Sequence, residues 1–102
     1  MELAEFEAKA TDIATMLKAL ANPRRLMVLC QLMLHGSATV NALAQAVGLS
    51  QSALSQHLSL MRDEGIVTFD RQGQTLHYRI ADPRVTHHMT ALYDLYCAPL
   101  KG

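Results

Sequence analysis

Residues 40–64 constrain the fold of this chain most strongly, because they predict two short helices joined by a tight turn. Gly48 lies at the turn, where a residue that tolerates positive φ ends a helix at low cost. Ser50 follows as a favourable N-cap for the second helix. Apolar residues repeat at helical spacing on both helices, so we expect them to face inward. They are Leu43, Ala44 and Val47 on the first helix, and Leu54, Leu58 and Met61 on the second.

The opposite face of the second helix carries short, uncharged polar groups where a solvated helix usually carries Glu and Lys. Short hydrogen-bonding groups can approach base edges closely, as a helix in the major groove of DNA requires. A solvated helix that happens to be rich in Ser and Gln is the alternative. We predict a recognition helix, with His57 supporting it or contacting phosphate. The other candidate DNA contacts on this helix are Gln51, Ser52, Ser55, Gln56, Ser59 and Arg62.

Other functional classes fit the sequence less well. His57 and Ser55 form the only nearby base–nucleophile combination, but they are two residues apart around a helix and no acid is placed to orient the histidine. We therefore predict that the chain is not an enzyme. A protein-interaction module without a DNA role would leave the Ser/Gln face unexplained.

Length and charge are consistent with a small DNA-binding protein. The chain has 102 residues, which predicts a single domain over residues 1–102. Half of its residues are apolar, a fraction that suggests burial between subunits as well as within one. The net charge is zero, but residues 22–84 contain six arginines against four carboxylates. A surface this weakly basic would need a dimer to collect enough phosphate contacts.

The first residues are acidic and no apolar run approaches the length of a membrane span. We therefore expect no signal peptide, no membrane association and a cytoplasmic location. The chain contains two cysteines. In such a compartment, cysteines are more often free, metal-bound or redox-active than joined in a structural disulfide.

Two helices are predicted before the central pair. The first carries a heptad-like apolar seam over about five turns, part of which we expect to pack on a second subunit. A lid over the subunit's own core is the alternative. Asn22 and Pro23 predict the start of the second helix, which runs to about His35. Arg24 and Arg25 lie at its start, where either phosphates or acidic partners are possible ligands. The seam of the first helix consists of Leu3, Phe6, Ala10, Ile13, Leu17 and Leu20.

A β-hairpin and a last helix are predicted after the central pair. Two alternating segments flank the polar turn 71–74, which predicts a two-stranded wing. Arg71 at its base and Gln72 or Gln74 at its tip are suited to the phosphate backbone or the minor groove. Asp82 and Pro83 predict the start of a helix that ends near Cys97. The predicted fold is mainly α with a two-stranded β wing, and the first and last helices are the expected dimer interface.

Three segments carry a resemblance to a known family. They are NPRRL at residues 22–26, LSQSALSQHL at 49–58 and MRDEGIV at 61–67. With the order of helices and wing, they resemble the ArsR family of bacterial winged-helix repressors, over nearly the whole chain. The resemblance implies a homodimeric winged helix-turn-helix protein that binds imperfect palindromes in double-stranded operator DNA. The two recognition helices would enter successive major grooves, roughly 34 Å apart.

The metal-sensing members of this family have ligands that the sequence lacks. Arsenic and cadmium sensors carry Cys-x-Cys on the first helix of the motif, whereas residues 37–43 contain no thiol. Zinc sensors carry Asp-x-His early in the last helix and two more ligands late in it. Asp82 matches, but Arg84 replaces the histidine, and Leu95 and Ala98 replace the later pair. His87 and His88, which follow, point about 100° apart on a helix, so we predict no metal site and no cofactor.

Cys30 and Cys97 match the thiol pair of one subgroup, the sulfide- and persulfide-responsive repressors of the BigR and SqrR type, which also includes HlyU-type regulators. The resemblance implies that the reduced protein binds DNA, and that reactive sulfur species bridge the two sulfurs and release it. A plain disulfide requires Cα atoms within about 7 Å, and extra sulfur atoms lengthen the bridge. The alternatives are a cysteine that acts only as a small apolar residue, and a peroxide-responsive or ligand-independent regulator of virulence, symbiosis or biofilm genes. A metal sensor ranks below these.

Overall fold

The computed structural model describes residues 2–97, and its elements follow the predicted order with one addition. The addition is a two-residue strand before the helix-turn-helix. Ala98, compared above with a zinc ligand, lies outside the described residues, as does the end of the predicted domain. The elements are α1 (Leu3–Leu20), α2 (Pro23–His35), β1 (Ala38–Thr39), α3 (Val40–Val47), α4 (Gln51–Asp63), β2 (Val67–Gln72), β3 (Thr75–Ile80) and α5 (Pro83–Tyr96).

Polar side chains fix the helix starts that the sequence predicted. The Asn22 side chain accepts hydrogen bonds from the backbone N–H groups of Arg24 and Arg25, at 3.0 and 3.2 Å. Ser50 Oγ accepts one from the N–H of Ala53 at 3.1 Å. These N–H groups precede the helical hydrogen-bonding ladder, so a side-chain acceptor supplies the partner that they would otherwise lack.

The turn between α3 and α4 depends on Gly48. Its φ of 70° places it in the left-handed region, where a residue without a Cβ is favoured. The N–H of Gly48 donates to the carbonyl of Ala44, and the N–H of Leu49 donates to the same carbonyl at 3.0 Å. The turn thus uses a carbonyl left over at the end of α3 and directs the chain into α4.

The core lies where α2, α3, α4, α5 and the base of the sheet meet. The six residues predicted to face inward on the two motif helices are all buried. Helix α2 also contributes buried residues and contacts both α3 and α5. The largest fully buried side chains are Leu29, Leu32, Leu43, Leu54, Leu58, Met61, Ile66, Val28, Val47, Val67 and Val85.

Helix α1 covers this core with only its last turn, as predicted. Ala19 and Leu20 are buried, whereas Leu3, Phe6 and Leu17 expose 74%, 49% and 50% of their surface. Half of the six seam residues are therefore exposed in the single subunit. Within residues 2–97, no helix is both long and apolar enough to cross a membrane.

The wing differs from its prediction in detail. Strands β2 and β3 pair from Val67 with Ile80 to Gln72 with Thr75, and β1 adds a short third strand to β3. The predicted four-residue turn at 71–74 is wrong, since only two residues separate the strands. Arg71 pairs with Leu76 and so lies next to the tip, not at the base. The end of the hairpin is exposed on both faces, so its residues do not alternate between apolar and polar. For this reason the sequence pattern predicted that β2 ends before Arg71.

Candidate nucleic-acid interface

The outer face of α4 presents the polar side chains that the sequence selected. The six polar residues of this face are all exposed, while Leu54, Leu58 and Met61 on the opposite face are at most 1% exposed. The contrast arises because helical periodicity directs the apolar stripe into the core and leaves the remaining positions facing solvent. The exposed set comprises Gln51, Ser52, Ser55, Gln56, Ser59 and Arg62.

One residue beside this face was missed by the sequence analysis. Gln51 Nε2 donates a hydrogen bond to Asn41 Oδ1 at 3.2 Å, which joins α4 to α3 across the motif. Both side chains are exposed. The bond leaves the oxygen of Gln51 and the amino group of Asn41 for other partners, an acceptor and a donor side by side. An exposed Asn in the first turn of α3 was the available sequence signal.

The two arginines at the start of α2 donate hydrogen bonds to neighbouring helices. Arg24 Nη1 donates to the carbonyl of Val47, the last residue of α3. Arg25 Nη1 donates to the carbonyl of Ala19 at 2.9 Å, and its Nε donates to Nδ1 of His57 at 3.2 Å. Both guanidinium groups are thus bound to the ends and sides of neighbouring helices.

Arg62 links the end of α4 to the wing. Its guanidinium carbon lies 4.2 Å from the centre of the Phe69 ring, within the range of a cation–π contact. Phe69 in turn packs against Tyr78 on β3, with ring centres 5.3 Å apart and planes tilted by 60°. An exposed contact of this kind contributes about 0.5–1 kcal/mol, in addition to the packing contacts between α4 and β2.

The wing places its polar residues at the far end of the hairpin. Arg71, Gln72 and Gln74 are all exposed there. Closer to the body, Arg79 Nε and Asp70 Oδ2 form an ion pair across the strands at 2.9 Å, with both side chains largely exposed. A surface pair of this type adds at most about 1 kcal/mol. The basic group nearest the tip is therefore Arg71.

The two cysteines are free thiols on helices that pack together. Cys30 is half-buried against the core on α2, and Cys97 is exposed at the end of α5. Helices α2 and α5 are in direct contact, and the Thr90 hydroxyl lies 3.5 Å from the sulfur of Met33 between them. The fold therefore packs the helix that carries Cys30 against the helix that Cys97 follows.

Comparison with known proteins identifies the family. A family model described as "Bacterial regulatory protein, arsR family" matches residues 22–68. The HTH-type transcriptional regulator YgaV of Escherichia coli (strain K12) is 40% identical over 96 residues, which cover 94% of this chain and 97% of YgaV. This chain belongs to the ArsR family.

Two solved structures extend the likeness of this ArsR-family regulator to the fold. Reduced HlyU from Vibrio cholerae N16961 superposes with a TM-score of 0.85 at 39% identity, over 91% of this chain and 97% of HlyU. The transcriptional repressor BigR from Xylella fastidiosa gives 0.86 at 35% identity, over 95% and 98%. The superpositions confirm the predicted winged helix-turn-helix fold. Because these relatives are transcriptional regulators and not enzymes, they also confirm the prediction of a non-enzymatic, DNA-binding protein.

In this ArsR-family regulator, Asp82, the one residue that matches a zinc-sensor ligand, is bound by arginine. Arg84 donates to both of its carboxylate oxygens, from Nε at 3.1 and 3.2 Å and from Nη2 at 2.7 Å. The hydrogen bond from Arg84 lowers the pKa of Asp82 despite an opposing effect of burial. Among residues 2–97, no group of three or more His, Cys, Asp or Glu side chains is arranged to hold a metal ion.

Proposed function

We propose that this ArsR-family regulator is a homodimeric repressor that leaves its operator when reactive sulfur species bridge Cys30 and Cys97. The observation that carries the proposal is a pair of free thiols, one on α2 and one on the residue that follows α5, together with the direct contact between these two helices. Helix α2 also holds the recognition helix through Arg25 and His57. A covalent link to α2 therefore acts on an element that is bonded to the DNA-binding surface.

Base recognition is assigned to α4 and backbone contact to the wing. The exposed amides and hydroxyls of α4 suit hydrogen bonding to base edges in the major groove. Arg71, Gln72 and Gln74 near the wing tip suit phosphate or the minor groove. With a net charge of zero, one subunit has no excess of cations, so a second copy is needed to supply enough phosphate contacts.

Helices α1 and α5 provide the surface for that second copy. Exposed apolar residues lie along both, including Leu3 and Phe6 on α1 and Leu95 and Tyr96 on α5. A groove of about 730 Å³ lies between residues of the two helices, with Phe6, Ile13 and Met16 among its walls. Apolar surface of this extent favours burial in a two-fold interface.

The proposed switch is a thiol–polysulfide exchange. One thiolate attacks a sulfur of the polysulfide, an S–S bond breaks, and the shortened chain leaves with the electron pair, so the cysteine becomes a persulfide. The second thiolate attacks the cysteine-linked sulfur of this persulfide, and hydrosulfide leaves. The protein thiols are oxidised by two electrons and the polysulfide is reduced. Where the first cysteine carries a chain of two added sulfur atoms, the second thiolate attacks the added sulfur next to the cysteine, hydrosulfide leaves, and one extra sulfur atom remains in the bridge.

The proposal that the chain represses transcription, and does not activate it, follows its likeness to BigR, which is named a transcriptional repressor. The curated relative HlyU of Vibrio cholerae, 40% identical over 97 residues, is named a transcriptional activator. A reporter under the chain's own promoter separates the two roles, since deleting a repressor raises transcription and deleting an activator lowers it.

The test combines DNA binding with mass spectrometry. Reduced protein is titrated onto its own promoter by fluorescence anisotropy at several salt concentrations, then treated in separate samples with polysulfide, an organic disulfide or peroxide. We expect polysulfide to release the DNA and to join the two cysteine peptides, with the loss of two hydrogen atoms and the addition of any extra sulfur atoms in the bridge. Release by peroxide alone, or release without a bridge, would contradict the proposed inducer chemistry.

The amide side chains of α4 give a second prediction. Gln51→Ala and Gln56→Ala are each expected to weaken operator binding by about 1–3 kcal/mol, because a water molecule replaces the lost hydrogen bonds to a base only in part. Binding to random DNA should change little, since phosphate contacts carry it. Gln45→Ala, at an exposed glutamine of α3, is the matched control. Equal losses on operator and random DNA would exclude base recognition by these amides.

A further inference from the structure

We propose that Arg25 is a positioning residue for DNA recognition, which sets the orientation of α4 by holding His57. The inference rests on operator binding by α4. Arg25 is the third residue of α2, and its own N–H is bound by Asn22, so its backbone is fixed at the helix start. From there the side chain spans two other helices.

The guanidinium group uses its forked geometry to serve two acceptors. Nη1 donates to the carbonyl of Ala19 near the end of α1, at 2.9 Å, and Nε donates to His57 Nδ1 on α4, at 3.2 Å. A lysine ammonium is a single point charge and does not span both acceptors in this way. Arg25 therefore joins α1, α2 and α4 through one rigid group.

His57 occupies the position on α4 where such a bond has most effect on base recognition. It is half-buried, between the exposed Gln56 and the buried Leu58. The apolar contacts of Leu58 and its neighbours hold α4 in the core, but they are not directional. A hydrogen bond at the side of the helix is directional, so it resists rotation about the helix axis. Such a rotation would carry Gln56 away from a base edge.

The contact also defines the tautomer of the neutral His57 imidazole. Because Nδ1 accepts the bond from Arg25, the neutral ring carries its proton on Nε2. The charged groups of the adjoining groove between α1 and α4 are Lys18, Arg25 and Glu64. At the C-terminal end of α4, its own Arg62 stacks on Phe69 of the wing, so side-chain contacts hold the recognition helix both at its middle and at its end.

The test compares the operator affinity of two variants of His57. A purely structural role predicts tighter binding by the leucine variant, whereas the proposal predicts tighter binding by the asparagine variant. His57→Asn places an oxygen acceptor near the position of Nδ1, whereas His57→Leu removes the acceptor. Leucine is the better helix former, so helix stability alone favours the leucine variant. We expect His57→Leu to lower operator affinity at least tenfold with random-DNA affinity within twofold, and His57→Asn to recover most of that loss. Asparagine and leucine variants with equal operator affinity would overturn the proposal.

A double-mutant cycle tests the partner. Arg25→Met is expected to lose operator affinity as His57→Leu does, and the double variant should be no weaker than either single one. Additive losses would contradict a shared role. Where Arg25→Met does not fold, as judged by circular dichroism, the asparagine–leucine comparison decides alone.

Nitrogen-15 NMR of the imidazole checks the contact without DNA. The wild-type ring should show a protonated Nε2 and an unprotonated Nδ1, and a ring protonated on Nδ1 would overturn the contact itself. A wild-type protein with this ring state that fails to prefer its operator would instead contradict operator recognition, so the two failures are distinguishable.

Discussion

Cys30→Ser and Cys97→Ser variants are each expected to remain on operator DNA at a polysulfide concentration that releases the wild-type protein. A serine hydroxyl forms no bond to sulfur under these conditions, so neither variant can close the bridge between α2 and α5. Coupling energies between two sites in a protein are typically about 1–3 kcal/mol, or roughly 5–150-fold in affinity. We expect a loss in this range for wild type and less than a twofold change for each variant, measured by anisotropy before and after treatment.

The reduced variants provide the control for that measurement. Cys97 is exposed, so serine should leave binding by the reduced protein unchanged. Cys30 packs against the core, and a hydroxyl there adds a polar group to a partly apolar site. Cys30→Ala is therefore the matched control, because it lacks both the thiol and the hydroxyl. A single variant that still leaves the operator after treatment would end the two-thiol mechanism.

Leu54→Ala is expected to lower the free energy of unfolding by about 2–5 kcal/mol. Leu54 is fully buried on α4, with 0% of its surface exposed. Alanine removes apolar contacts and leaves a cavity that neighbouring side chains fill only in part. For a chain of this size, each kcal/mol lowers the melting temperature by about 4–8 °C, so the effect is large. Urea unfolding at one fixed protein concentration measures it, since dimerisation would make stability depend on concentration.

Leu60→Ala is the matched control on the same helix. Leu60 exposes 40% of its surface, so the same substitution removes fewer contacts and leaves no enclosed cavity. We expect a loss below about 1 kcal/mol, as is usual for partly exposed positions. Similar losses at both positions would mean that the apolar stripe of α4 does not face the core.

Local chemistry explains which parts of the fold the sequence predicts. Asn22, Ser50 and Gly48 act on backbone groups within a few residues, so the ends of α2, α3 and α4 follow from their spacing. The inward residues of α4 follow from a 3.6-residue period in the same way. The wing was predicted less well, because its polar end carries no apolar pattern and β1 forms only by pairing with a distant strand.

Contacts between residues far apart in sequence account for most of what was missed at the site. The bond from Arg24 to Val47 spans 23 positions, and that from Arg25 to His57 spans 32. Asn41 and Gln51 meet only because the turn at Gly48 folds α4 back onto α3. Neither spacing nor composition specifies such partners, so the sequence alone left the role of the two arginines open.

The sequence by itself therefore determined the helices, their caps, the polar face of the recognition helix and the resemblance to the ArsR family, because each depends on neighbouring residues or on short motifs. The tertiary structure alone decided that Arg24 and Arg25 bind the helix-turn-helix, that Arg62 stacks on the wing, and that the two thiol-bearing helices are in contact. The physical reason is that a side-chain hydrogen bond acts over about 3 Å in space, while its partner can lie anywhere along the chain.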